Sequence, residues 1–548
     1  MSADLMPSDH RHLRDKWYRD GWYSDLTCLD AFEAGAAKHG DVPLTFVVGD
    51  SVSSLTVGEI RNLALALAAS LQRLGVRDGD AVAVQLTNRV ECAVAYQAVL
   101  LCGAVLVPIV HIYGVAEVAF ILDQSGAKVL IMPERHGSIM YRERLQELSR
   151  IDSLQHVVML DAEPGEGYRG WSQLDTPAAQ YRRPAVDADD VCLLLYTSGT
   201  TSAPKGVQHS HNTFLAEQKT MPALLAGKPD DVSLVTFPPG HIAGVGSLLR
   251  PLLSGARTVF IDGWDPALAV EVVRRFGVTC TAGTPFHLAG ILDLGDTGDE
   301  LATLREFLVG AAPVAEEIGR RAAQAGISTF RSYGATEHPT VTGEHEGAPE
   351  WARLSTDGKP LPGSAVRIVG TDGADCPSGT DGEVVVRGPD QFVGYQDVAL
   401  NADAFNADGW FRTGDLGHLD DQGRLTITDR IKDVIIRGGE TISSGQVEEV
   451  LNAHPAVADG AAVAAPHPRY GDVVAAVVVL KPGCALDLDG LRAHFVASGL
   501  ARQKTPERLA VVDELPRTSL GKVRKAQLRA DHFGAGGRQC DRTPKSMS

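Results

Sequence analysis

The stretch Tyr196-Thr197-Ser198-Gly199-Thr200-Thr201-Ser202-Ala203-Pro204-Lys205-Gly206-Val207 constrains this chain more than any other. It gathers hydroxyls, two glycines and a lysine into one loop. A bulky polyanion such as a triphosphate is held by that combination: bare backbone N–H groups, short hydroxyl donors and one mobile cation. The preceding Val191-Cys192-Leu193-Leu194-Leu195 is a short apolar run that reads as a buried strand. The loop therefore sits at a strand end, where open α/β sheets bind ligands. A Walker-type loop is excluded, because the position that must hold Gly-Lys-Ser/Thr holds Pro204-Lys205-Gly206. Gly521-Lys522 fails the same pattern, with Pro516 where the first glycine belongs.

Four later stretches belong with this loop: Tyr333-Gly334-Ala335-Thr336-Glu337, Gly409-Trp410-Phe411-Arg412-Thr413-Gly414-Asp415, Asp429-Arg430-Ile431-Lys432-Asp433 and Pro516-Arg517-Thr518-Ser519-Leu520-Gly521-Lys522. Together the five resemble, in order, the motifs of the adenylate-forming superfamily: acyl-CoA synthetases, aryl-CoA ligases, adenylation domains and luciferases. The resemblance implies ATP, Mg²⁺ and CoA as cosubstrates and cofactor. A carboxylate would attack the α-phosphorus of ATP to give an acyl-adenylate and pyrophosphate, and CoA sulfur would then displace AMP. Such chemistry needs positioning and charge neutralisation more than covalent help.

Carried over residue by residue, the resemblance implies that Thr197, Ser198, Thr200 and Thr201 offer hydroxyls to the β- and γ-phosphates. Gly199 would let the backbone approach, and Lys205 would be the countercharge. Glu337 resembles the magnesium ligand, assisted by Thr197. Thr336 matches the α-phosphate contact. Tyr333, with Gly334 and Ala335, would lie against adenine beside Gly310-Ala311-Ala312. Asp415 resembles the carboxylate that accepts from both ribose hydroxyls, with Arg430 nearby. Lys522 matches the lysine delivered over the α-phosphate for adenylation. Lys432 would be the hinge, Gly438 and Gly439 would admit the CoA arm, and His241 would stand between acyl pocket and phosphate loop. Two positions depart from the usual pattern: Ser202, where glycine is commoner, and Thr441, where asparagine is usual.

At 548 residues the chain exceeds one ordinary core. A formal charge of −18 argues against a nucleic-acid partner. ATP and CoA must then be bound by local donors. The eight cysteines show no C-x-x-C pairing and read as small buried thiols of a reducing, cytoplasmic setting. His209-Ser210-His211 lacks partnering ligands at useful spacing, so a structural role is expected rather than a metal. The first twenty residues are charged, without a signal-peptide core, and no apolar run is long enough for a bilayer. A homo-oligomer is left open.

Strand–helix alternation from Leu55 to Leu130, resuming at Val191 and passing Glu337, predicts layered α/β subdomains. Short strands such as Ala365–Val369 and Gly382–Arg387 predict a β-rich subdomain. Helix, two strands and helix follow the charged Asp429–Asp433 stretch. The expected organisation is thus an α/β, AMP-binding N-terminal domain over 1–431, a small mobile α+β C-terminal domain over 432–533 and a flexible tail over 534–548.

The acyl pocket is expected near His241, Ala282–His287 and Gly310. No lysine or arginine stands out there for a second substrate carboxylate, so a hydrophobic acid is expected. Within the superfamily, Gly206–Thr213, Trp264-Asp265-Pro266 and Ser355–Gly363 look most like cyclohexanecarboxylate-CoA ligases and related fatty-acid ligases. An alicyclic or medium-chain acid is favoured. The alternatives are a ligase that loads a separate carrier protein, a luciferase-like oxygenase and a non-catalytic nucleotide-binding scaffold.

Overall fold

Helix Val90–Leu101 shows how the interior is organised: every residue from Cys92 to Leu101 is buried, Gln97 included. A helix without a polar face must be enclosed on all sides. It packs with helix Val57–Arg73 in a cluster fed by Leu44, Phe46 and Phe260 on one side and by Val82, Leu106, Val129 and Leu193 on the other. Those residues belong to two different sheets, so the helices form a layer between them. Thr56 starts helix Val57–Arg73 with a capping box: Glu59 Oε2 accepts from the Thr56 N–H at 2.7 Å, and Thr56 Oγ1 accepts from the Glu59 N–H at 3.2 Å. Such a cap contributes about 1 kcal/mol. The structure is a computed structural model and describes residues 11–197, 204–225, 227–294, 300–310, 316–438, 440–518 and 521–534.

Among the described residues, one sheet runs in the order Lys359–Pro360, His338–Gly343, Ser328–Ala335, Glu306–Val309, Cys280–Gly283, Ser233–Val235, Thr258–Ile261, Pro43–Val48 and Ser51–Thr56. Its middle is parallel, with helices on the connections. The second sheet runs Gly394–Tyr395, Lys205–Ser210, Val191–Thr197, Val105–Pro108, Ala81–Val84, Val129–Pro133, His156–Leu160 and Arg169–Gly170. A smaller antiparallel sheet is built from Ala365–Val369, Gly382–Arg387, Phe411–Leu419 and Leu425–Arg430.

The chain leaves that small sheet at Arg430 and enters a further one at Ile435. This last sheet comprises Glu440–Ile442, Ile435–Arg437, Gly471–Leu480, Val457–His467 and Arg508–Val512. Helices Ser444–Asn452, Leu488–Ala497 and Lys525–Phe533 pack on it. The architecture is the expected mixed α/β one: a large N-terminal part with a β-rich subdomain and a small α+β C-terminal part. Among the described residues, no helix is long and apolar enough to cross a membrane.

Two expectations are corrected. Cys484 is exposed and Cys376 half-buried, so not every thiol is enclosed. His211 also has the partners its sequence spacing lacked, because the fold brings Cys28 and Cys192 to it.

Candidate active site

The strands Val191–Thr197 and Lys205–Ser210 pair antiparallel, and Thr197 and Lys205 face each other at the end of the pairing. Lys205 holds its ammonium 5.0 Å from the centroid of the Tyr395 ring. Tyr395 comes from the next strand of the sheet, paired through Val207. Its hydroxyl donates to Glu337 Oε1 at 2.8 Å. One aromatic side chain therefore ties the lysine of the loop to the acid of a distant motif.

Thr336 and Glu337 form the two-residue connection between Ser328–Ala335 and His338–Gly343, since Ala335 pairs with His338. The pairing slips at Gly334. A Cβ there would lie 2.0 Å from the Pro339 carbonyl oxygen, so glycine alone fits this bulge. The turn's carbonyls are held from behind. Phe392 N–H donates to the Glu337 carbonyl at 2.7 Å, and His209 Nε2 donates to the Thr336 carbonyl at 2.8 Å. A carbonyl can only accept, so His209 carries its proton on Nε2. Burial lowers the His209 pKa to about 4 and keeps the ring neutral.

Asp415 stands opposite Arg430 in the small sheet. Its Oδ2 accepts from the Tyr333 hydroxyl at 2.6 Å, and its Oδ1 pairs with Arg430 Nε at 3.0 Å. Burial, reinforced by the Asp415 charge, pushes the Tyr333 phenol well above its ordinary range. Trp410 and Phe411 pack into the same subdomain, as their apolar character required.

Lys522 reaches this cluster from the C-terminal part. Its loop closes through Thr518 N–H to the Lys522 carbonyl at 2.8 Å and Arg524 N–H to the Pro516 carbonyl at 2.8 Å. Gly521 turns the chain at φ +78°, and a side chain there would press on Phe286 of the N-terminal part, 3.2 Å from its Cβ. Burial, with Arg430 and Lys432, lowers the Lys522 ammonium to about 8, against the pull of Asp415 and Glu337. His241 lies within the electrostatic reach of this lysine. It occupies the N-cap position of helix Ile242–Ser254, and burial, then Lys522 and His111, bring its pKa to about 4. Lys432 falls in the same field, its pKa lowered by burial and by Arg430.

The structure thus brings together Lys205, Tyr333, Glu337, Asp415, Arg430, Lys432, Lys522 and His241. Thr197, Thr336, Gly334 and Ala335 stand on the strand ends and turn that carry these groups. Gly310 closes the strand Glu306–Val309, its N–H bonded to the Gly283 carbonyl at 3.0 Å and its Cα side near Ser332. Gly438 is placed elsewhere, on a hairpin of the C-terminal sheet where its N–H meets the Tyr470 carbonyl at 2.8 Å. Ser198, Gly199, Thr200, Thr201, Ala311, Ala312 and Gly439 lie outside the described residues. Sequence reasoning missed Tyr395 and did not assign His209 to Thr336. The only local signal for Tyr395 was an aromatic residue beside a glycine, Gly394.

Comparison with known proteins decides the family. The AMP-binding enzyme family matches residues 32–396, and the AMP-binding enzyme C-terminal domain matches residues 446–522. The chain belongs to the adenylate-forming, AMP-binding enzyme family. Among its relatives in this family, the medium-chain fatty-acid–CoA ligase of Escherichia coli (strain K12) is 32% identical over 525 residues, covering 94% of this chain and 92% of that one. The 3-[(3aS,4S,7aS)-7a-methyl-1,5-dioxo-octahydro-1H-inden-4-yl]propanoyl:CoA ligase of Mycobacterium tuberculosis (strain ATCC 25618 / H37Rv) is 36% identical over 490 residues, covering 86% and 93%. ATP-bound MatB from Rhodopseudomonas palustris superposes with a TM-score of 0.83 at 26% identity, covering 92% of this chain and 98% of that chain.

Proposed function

We propose that this family member is an ATP-dependent, AMP-forming acyl-CoA ligase for a hydrophobic carboxylic acid, with alicyclic or medium-chain acids favoured, working in the cytoplasm. The observation that carries the reading is the convergence of Lys522, from the C-terminal part, on Asp415, Glu337 and Arg430 of the N-terminal part. A cation and a nucleotide-orienting carboxylate meet at one place from two separately folded units. The medium-chain and bicyclic-propanoate ligases among the relatives support the substrate class.

In this reading the hydroxyls of Thr197, Ser198, Thr200 and Thr201, the backbone at Gly199 and the ammonium of Lys205 hold the terminal phosphates. Asp415, oriented by Tyr333 and Arg430, fixes the ribose, and the adenine lies by Gly310, Ala311, Ala312, Tyr333, Gly334 and Ala335. Thr336 contacts the α-phosphate. Lys522 supplies positive charge where it develops as the acid's carboxylate attacks phosphorus and pyrophosphate leaves. His241, neutral at pH 7, can orient the carboxylate without adding a competing cation. Rotation of the C-terminal part about Lys432 withdraws Lys522 and presents Gly438 and Gly439 to CoA, whose thiolate attacks the acyl carbon and releases AMP.

The residues present fit magnesium. Glu337 engages Tyr395 through Oε1 and has a second carboxylate oxygen to offer as a hard donor, with the hydroxyl of Thr197 as the other proposed ligand. Bound there, the ion would neutralise phosphate charge. A panel of carboxylic acids incubated with ATP, Mg²⁺ and CoA, read by mass spectrometry of thioesters, tests the reading. Alicyclic and medium-chain acids are expected to give acyl-CoA and AMP. Acyl-adenylate without thioester, consumed only by a pantetheinylated carrier, would contradict it.

A further inference from the structure

Cys28, Cys192 and His211 come from three separate segments, and all three are buried. Their side-chain sulfur and ring-nitrogen atoms lie within 4.8 Å of one another. The arrangement is built by specific local structure. Cys28 is the first residue of helix Cys28–His39, directly after the Thr27 N-cap, whose capping box with Asp30 fixes the helix start. Its backbone N–H donates to His211 Nδ1 at 3.3 Å. Cys192 falls where the register of the strands Val191–Thr197 and Lys205–Ser210 slips, between the pairs Val191–Ser210 and Leu193–His209. A bulge of this kind re-aims one side chain, here toward Cys28 and His211.

The chemistry of the two sulfurs differs from that of the other buried thiols. Burial would raise the Cys28 thiol. The hydrogen bond from Cys192 and the nearby His211 outweigh it and lower the pKa to about 6, while Cys192 is driven up by burial and by its partner. Cys92, Cys102 and Cys280 are all raised, burial being the largest cause. A thiolate next to a thiol, at a helix N-terminus, is the arrangement of a disulfide-forming pair. A structural zinc takes four donors, whereas three converge here among the described residues.

We propose that Cys28 and Cys192 form a redox-active dithiol that a peroxide closes to a disulfide, and that closure acts on the hairpin carrying the phosphate loop. The Cys28 thiolate attacks a peroxide oxygen, the O–O bond breaks, and the departing hydroxide takes up a proton as water. The Cys192 sulfur then attacks the Cys28 sulfenic acid. The S–O bond breaks, the S–S bond forms, and hydroxide leaves with the Cys192 proton as a second water. Two electrons pass from the sulfurs to the peroxide. Cys28 and Cys192 are both buried, so the oxidant must be a small peroxide that reaches them through local opening. The way out is mechanical. Cys192 lies on the strand that ends at Thr197, opposite Lys205, so pulling on its bulge displaces the loop mouth.

The disulfide itself does not depend on the proposed ligase activity; only its effect on adenylation does. The test uses the reduced full-length protein titrated with hydrogen peroxide. Remaining thiols are blocked with N-ethylmaleimide, and acid digests are read by mass spectrometry. A Cys28–Cys192 linked peptide is expected before Cys92, Cys102 or Cys280 reacts, in folded protein. Acid-dependent ATP–pyrophosphate exchange is expected to fall about tenfold or more, the scale of a small misplacement of positioning groups, and to recover with dithiothreitol. Cys192→Ser, which keeps a hydrogen-bond donor toward Cys28 but cannot form the disulfide, should keep its basal exchange and accumulate a dimedone-trapped sulfenic acid at Cys28. Oxidation of Cys484 alone, with Cys28 and Cys192 recovered as free thiols, would overturn the proposal. So would a stoichiometric zinc ion lost in Cys28→Ser, which would assign the three groups to a metal. A disulfide that leaves exchange unchanged would overturn the coupling to the hairpin.

Discussion

Tyr395 donates to Glu337 Oε1 at 2.8 Å while its ring lies 5.0 Å beneath the Lys205 ammonium. The same side chain thus orients the proposed magnesium-binding acid and steadies Lys205, the proposed countercharge to the phosphates. Tyr395→Phe keeps the ring and removes the hydrogen bond. A hydrogen bond to a charged group contributes about 1.5–3 kcal/mol, so kcat/KM for ATP is expected to fall about 10- to 100-fold. Tyr395→Leu, which also removes the ring face, should lose more. Initial rates of pyrophosphate release over ATP and Mg²⁺ concentrations measure both. Equal, unchanged constants in the two variants would contradict this link.

The lowered pKa of Lys522 has a direct kinetic consequence. An ordinary lysine keeps its proton to about pH 10, whereas burial and the neighbouring Arg430 and Lys432 bring this one to about 8. The cationic form is complete well below that value and is lost as pH rises through it. Because kcat/KM reports the free enzyme, kcat/KM for ATP in the adenylation half-reaction is expected to decline with a midpoint near pH 8. Lys522→Arg should move this alkaline limb upward, since guanidinium stays charged. A pH–rate profile for both proteins checks the shift.

Gly334 carries a bulge that leaves no room for a methyl group, because a Cβ at this position would stand 2.0 Å from the Pro339 carbonyl oxygen. Gly334→Ala must displace either the Thr336–Glu337 turn or the strand behind it. Destabilisation of about 1–3 kcal/mol is expected, with adenylation falling about 100-fold or more as the turn moves. Chemical denaturation and pyrophosphate exchange measure the two effects separately.

Much of this architecture was legible in the sequence because the signals were local. The apolar period of Val57–Arg73 and its Thr56–Glu59 cap lie within one stretch, and so does the hydroxyl-rich loop after Val191–Leu195. The meeting of Lys522 with Asp415 followed from the ordered motifs and not from any spacing. What escaped were contacts made only by chain topology. Tyr395 reaches Glu337 across 58 positions, through an edge strand of two residues that has no periodic pattern. His211 showed no partner ligand in its neighbourhood because Cys28 and Cys192 arrive from another helix and from a bulge. Pairwise register of that kind is set by packing and not by local propensity.

The central claim is that Lys522 serves adenylation and is withdrawn for thioester formation. Measuring the two half-reactions of Lys522→Ala separately tests it most directly. ATP–pyrophosphate exchange driven by the acid is expected to fall about 100- to 1,000-fold, the scale of losing one preorganised electrostatic group, while CoA transfer from supplied acyl-adenylate stays near the parent rate. Equal loss of both half-reactions, or full retention of exchange, would contradict the account.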